Sequence, residues 1–179
     1  METNQSKSQQ ERVETEKRQI GILRSGNSSA IIDTIQEIRT HGSVTILPEL
    51  FDLLLISENI EIVKACSALL NDLKNKESVR YLVSALENKR YKPIRHILVS
   101  ACWQNGLDFH EDIQLFANIF LKDEYITSVE AFTVIENNIG KLEDQGIVQL
   151  IEKLNREINK ADDKKKPLII ELLSTIRNY

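Results

Sequence analysis

The chain has 179 residues, 41% of them hydrophobic, and a formal net charge of −4. That length and apolar content can fill one continuous core, whereas six Gly and three Pro are too few for a sheet of many short strands, so the expected class is all-α. No run of about 18 apolar residues is present, which argues against a membrane span, and the opening METNQSKSQQ lacks the apolar centre of a secretory signal.

Residues 1–24 form a polar N-terminal segment in which Val13 is the one apolar residue between Met1 and Lys17. It is expected to be partly disordered, becoming helical from about Gln9 toward Leu23, with Ile20, Ile22 and Leu23 docking as a cap. The cluster Ser25-Gly26-Asn27-Ser28-Ser29 is the clearest linker and supplies several N-cap residues. Residues 25–179 are expected to be a single domain of four helical pairs, at 29–57, 58–90, 91–122 and 123–158, closed by a terminal helix over 166–178.

The most regular pair runs from Asn59 to Asn88. Ile62, Val63, Cys66, Leu69 and Leu70 recur at helical spacing, then Val79, Leu82, Val83 and Leu86. Ser78 or Asn75 is expected to cap the second helix. Second helices superpose along the chain: Leu47, Leu50, Phe51 and Leu54 shift by 32 onto Val79, Leu82, Val83 and Leu86. Shifts of 34 then give Ile113, Phe116, Ala117 and Phe120, and Ile147, Leu150, Ile151 and Leu154. Any amphipathic helix matches within one copy, so the near-constant offset between copies is the informative part. Ile32, Val63, Ile94 and Val129 mark the first helices. Turns fall at His41-Gly42-Ser43, Lys74 to Glu77, Asn105 to Asp108 and Ile139-Gly140, and three of these carry a Gly suited to a left-handed helix end. Pro48 and Pro93 fall in first turns, where a missing N–H is harmless. Leu168, Ile169, Leu172, Leu173 and Ile176 make the terminal helix a cap over the open end of the core.

Charge is uneven, with +3 over residues 58–106 and −6 over 107–160. Cys66 and Cys102 fall on apolar helix faces and are expected to be free core thiols in a reducing cytoplasm. His41, His96 and His110 are scattered, no metal-ligand spacing occurs, and neither a cofactor nor a metal is expected. Acidic pairs such as Glu111-Asp112 and Asp123-Glu124 stand at helix starts, where the helix dipole accounts for them. No nucleophile has an identifiable His partner and no phosphate-binding glycine loop is present, so enzyme chemistry is not expected. The sharpest cluster is Lys89, Arg90, Tyr91, Lys92 and Arg95 with His96: the cations suit phosphate, and Tyr91 suits stacking on a base or packing on the next helix.

Val63-Lys64-Ala65-Cys66-Ser67-Ala68-Leu69-Leu70 and Ile94-Arg95-His96-Ile97-Leu98-Val99-Ser100-Ala101 resemble the HEAT-repeat signature, a Val-Arg pair followed by small residues. Asp33 and Glu130 depart from it, standing where the family often has a basic residue. The resemblance, which spans roughly Ser29 to Asn155, implies an armadillo-type α–α superhelix, a right-handed solenoid of about four hairpins plus a capping helix. It also implies a non-catalytic protein-binding module or scaffold with second helices lining a concave face, and a cytoplasmic, bacterial protein is expected. Glu49, Asp52, Tyr81, Ser84, Gln114, Asn118, Gln149 and Glu152 project from those helices outside the buried set. The expected partner is another protein or peptide, with neither membrane nor metal involved. The alternative is a nucleic-acid-associated accessory protein using the 89–96 edge, and the third reading is a HEAT-like enzyme.

Overall fold

The structure, a computed structural model, describes residues 2–179, with side chains from residue 9 onward. Ten α-helices make it up among those residues: α1 (Glu2–Leu23), α2 (Ser28–His41), α3 (Leu47–Ile56), α4 (Ile60–Asn71), α5 (Ser78–Glu87), α6 (Arg95–Gln104), α7 (Ile113–Lys122), α8 (Tyr125–Asn138), α9 (Asp144–Glu157) and α10 (Lys165–Arg177). Short 3₁₀ turns lead into α3, α6 and α7 and follow α8, and no strand occurs among the described residues. The all-helical expectation holds.

Local chemistry sets the helix starts. Asn27 Oδ1 accepts the Ala30 N–H at 3.0 Å, and Asn59 Oδ1 accepts that of Glu61 at 2.9 Å. Asn88 Oδ1 does the same for Arg90 at 3.0 Å, opening the 3₁₀ turn Lys89–Ile94, and Asp162 Oδ1 accepts the Lys165 N–H at 2.8 Å. Each satisfies a donor that a helix cannot pair internally. Neither of the two residues expected to cap α5 does so: Asn75 Oδ1 accepts the Glu77 N–H at 2.9 Å within the turn ahead of the helix, and the Ser78 hydroxyl is buried without a partner. Pro93 sits in the 3₁₀ turn before α6 rather than inside that helix.

The turn glycines need correction. Gly106 alone among the three is left-handed, with φ +69°; Gly42 is extended at φ −75°, and Gly140 lies in the 3₁₀ turn Ile139–Lys141. Gly42 is needed for space instead, because a Cβ there would stand 2.5 Å from the Ile38 carbonyl oxygen. Gly26, at φ +76°, makes the left-handed bend between α1 and α2.

Helices pack against their neighbours in two runs. Helices α2, α4, α6, α8 and α10 contact one another in succession; α1 packs on α2 and α3, α3 on α5, and α7 on α9. The second-helix positions picked out by the shifts of 32 and 34 are all buried or half-buried. Buried positions run through Ile31, Ile62, Ile94 (the last residue of the 3₁₀ turn ahead of α6) and Thr127, and through Ile35, Cys66, Leu98 and Ala131. The expected marker Val129 is instead 39% exposed. The six-residue 3₁₀ turn ahead of α6, set against the two-residue connection ahead of α8, shifts the frame between copies. Polar links follow the same beat: Asn59 Nδ2 donates to Ser28 Oγ at 3.1 Å, Lys74 Nζ to the Asn105 carbonyl at 2.9 Å and Asn71 Nδ2 to Gln104 Oε1 at 2.9 Å.

Both ends of the core are covered. Helix α1 begins at Glu2, well before Gln9, since nothing before Gly21 breaks a helix and Glu, Gln, Lys and Arg favour one. Its last turns dock, with Leu23 buried and the buried Gln19 amide donating to Glu37 Oε1 at 3.1 Å. At the other end Ile169, Leu172, Leu173 and Ile176 of α10 are buried, the helix packing on α8 and α9.

Candidate functional site

The connections 57–59, 88–94, 123–124 and 158–164 follow α3, α5, α7 and α9, and residues of the last three line adjoining hollows. Tyr91 anchors the second of these. Its ring is buried, edge-on to Phe51 at 5.9 Å, and its O–H donates to Asp52 Oδ1 at 2.6 Å. Tyr91 therefore packs inward, back onto α3 rather than forward on the next helix as expected, and has no free face for a base. Arg90 lies 5.4 Å from the Tyr91 ring centroid and pairs with the same Asp52 oxygen at 2.9 Å.

Arg95, on the first turn of α6, reaches both carboxylate oxygens of Asp123 at 3.1 and 3.0 Å. Both side chains are largely buried, and Arg95 Nε is left without a partner. Of the residues expected at the anion-binding edge, Lys89 and Lys92 are thus the exposed cations with no ion pair among the described residues. They border a hollow of about 560 Å³ with Arg95, His96, Lys122 and Thr127.

The expected concave-face residues divide between the two halves of the chain. In the first half Glu49, Asp52 and Tyr81 are engaged within the fold, and Ser84 is not. Glu49 holds Arg24, whose Nε donates at 2.8 Å; Asp52 is taken by Tyr91 and Arg90; the Arg80 guanidinium lies 5.0 Å from the Tyr81 ring centroid; Ser84 is exposed on α5. In the second half Gln114, Asn118, Gln149 and Glu152 come together in one groove of about 500 Å³ between α7 and α9, with Leu121, Lys122, Lys153 and Arg156 beside them. Lys153 Nζ donates to Gln114 Oε1 at 3.0 Å and to the Gln114 carbonyl at 3.2 Å. Burial, then the nearby Lys122 and Arg156, lowers the pKa of Lys153.

A third hollow adjoins these, where Lys160, Lys164 and Lys165 face residues 121–125. Lys165 Nζ donates to the Leu121 carbonyl at 3.2 Å and to that of Asp123, neutralising the negative end of α7. Lys122 lines all three hollows. Together they carry ten lysines and arginines against five carboxylates, a local +5 on a chain of net −4. Sequence reasoning missed Lys122, Lys153, Arg156 and the 160–165 lysines because they are scattered over more than forty positions. Their one sequence signal is that Lys122 and Arg156 stand in the last turns of second helices.

No group of three or more metal-ligating side chains occurs among the described residues, and no helix among them is long and apolar enough to cross a membrane. Cys66 and Cys102 are free and buried, and burial pushes the Cys66 thiol up to about 12 and that of Cys102 well above its usual range. Neither is a ready thiolate. No known protein-family model matches the chain, and neither does any curated protein.

Proposed function

We propose that the chain is a non-catalytic, HEAT-like protein-binding module, an α–α superhelix of four helical pairs with a terminal cap, acting in the cytoplasm through the surface of its second helices. The buried first-helix positions support the repeat reading, since they recur at offsets of 31, 32 and 33 (Ile31, Ile62, Ile94, Thr127), as do the polar links between successive pairs. Stacked helices hold their side chains in place before a partner arrives, so binding loses little backbone freedom.

The observation that carries the binding reading is the α7–α9 groove. Two amide side chains, Asn118 and Gln149, share it with the carboxylate of Glu152 and the apolar Leu121, beside Gln114, whose amide oxygen Lys153 holds. Amides both donate and accept, which suits the N–H and C=O groups of a peptide backbone. The test is a photo-crosslinking residue at Asn118, with the same residue at Glu136, exposed on α8, as control. Native-cell extract should yield one dominant protein adduct at Asn118 and none at Glu136. Equal or absent labelling at the two positions overturns the reading.

Phosphate contact by nucleic acid at the 89–96 edge is the second reading, favoured by the exposed Lys89 and Lys92. Burial of Tyr91 and the carboxylates that hold Arg90 and Arg95 leave it the weaker of the two.

A further inference from the structure

We propose that the partner segment is an acidic peptide that also carries apolar side chains, docked over Lys122 where the three hollows meet. This rests on the protein-binding reading and adds the chemistry of what is bound. Lys122 is the one residue common to the α7–α9 groove, the hollow beside Lys92 and the hollow beside Lys164. These hollows therefore form one surface, and its excess of cations has no counterpart in the acidic balance of the whole chain. Lys165 has an internal role, capping α7, but Lys92, Lys122 and Lys164 are exposed and make no ion pair among the described residues. Lys164 and its neighbours also crowd the start of α10, and Lys92 lies just ahead of α6, the helix ends where positive charge is least favourable. Cations set against the helix dipole break a local rule, as surfaces kept for a ligand do.

The surface discriminates among anions. The exposed Glu124 and Glu152 are interleaved with the lysines, so a strand with a phosphate at every step meets repulsion along its path. A peptide whose carboxylates are spaced by other residues avoids it. Tyr125, 47% exposed, borders the hollow that Leu121 also lines, offering an apolar contact between the cations. An acidic and apolar peptide satisfies both features; a purely polar polyanion satisfies one.

The test is fluorescence anisotropy with the full chain and a fluorescein-labelled peptide of repeated Glu-Glu-Leu, set against its Lys-Lys-Leu counterpart and an oligothymidylate of equal length. The acidic peptide should bind, weaken as salt is raised, and bind about tenfold more weakly to Lys122→Glu or Lys92→Glu. Lys76→Glu, the same charge change in the turn between α4 and α5, should leave binding unchanged. Both groove lysines are exposed, so circular dichroism of the variants should match that of the original chain. Absence of binding at low salt, indifference to Lys122→Glu, or tighter binding of the oligothymidylate each overturns the proposal. The crosslinking residue at Asn118 assumes nothing about charge: an adduct there with no binding of the acidic peptide sinks this inference alone, and no adduct sinks the reading beneath it.

Discussion

Tyr91 donates its phenol hydrogen to Asp52 Oδ1 at 2.6 Å across 39 residues of chain, tying the connection ahead of α6 to the middle of α3. Burial, then the Asp52 carboxylate, pushes the phenol up to about 12, so Tyr91 remains a neutral donor throughout the ordinary pH range. Tyr91→Phe keeps the ring against Phe51 and removes only this bond, while Arg90 still neutralises Asp52. We expect a loss of about 1–2 kcal/mol in urea unfolding, against about 3–5 kcal/mol for Tyr91→Ala, which also empties the ring's site. A Phe variant as stable as the original chain would show that the hydrogen bond contributes nothing.

Arg95 and Asp123 form the most buried ion pair among the described residues, with side chains 16% and 12% exposed. Removing one member leaves the other charge buried and unpaired, so Asp123→Asn and Arg95→Met should each cost about 3 kcal/mol or more. The double variant should cost clearly less than the sum of the two, because it leaves no orphan charge. Additive losses in chemical unfolding would mean that the two groups do not stabilise each other.

Those two pairs show where the sequence was legible and where it was not. Helix positions and their buried faces were readable, because the spacing of Leu82 and Leu86, or of Phe116 and Phe120, is a local property of one helix. The asparagine caps were equally local, each acting within three residues of itself. Tyr91 among four cations suited either stacking on a base or packing on the next helix, because its two actual partners, Phe51 and Asp52, are about forty positions away. The same distance hid the cationic surface: Gln114 and Gln149 were readable as matching positions on α7 and α9, but nothing local brings Lys122 toward Lys92 and Lys164. Helix α1 exceeded expectation because its polar composition, which argued against burial, does not argue against helix formation. The register of α8 was misread at Val129 because connection lengths between helices vary while the buried seam does not.

Cys66 and Cys102 lie wholly inside the core, with thiols held well above their ordinary range by burial. Iodoacetamide at neutral pH should therefore label neither residue in the folded chain and both after denaturation. Mass spectrometry of timed samples separates the two states. Labelling of either cysteine at a rate close to that of the denatured chain would contradict the packing around α4 and α6.

Asp108 gives the fold a defined acid sensitivity. Partial burial raises its pKa, but hydrogen bonds from the His110 ring and backbone and from Lys141 outweigh this and hold it at about 2, below the ordinary 3.8. His110 Nδ1 stands 2.8 Å from one carboxylate oxygen and Lys141 Nζ 3.1 Å from the other. Because the folded value is depressed, the contribution is complete above about pH 4 and is lost as pH falls through about 2. The side chain is 45% exposed, so solvent screening limits the effect to roughly 0.5 kcal/mol. In melting curves the original chain should exceed Asp108→Asn by about 1–2 °C above pH 4, and the difference should close on acidification toward pH 2. A difference that persists unchanged at pH 2 would place its origin in packing of the carboxamide rather than in the charge of Asp108.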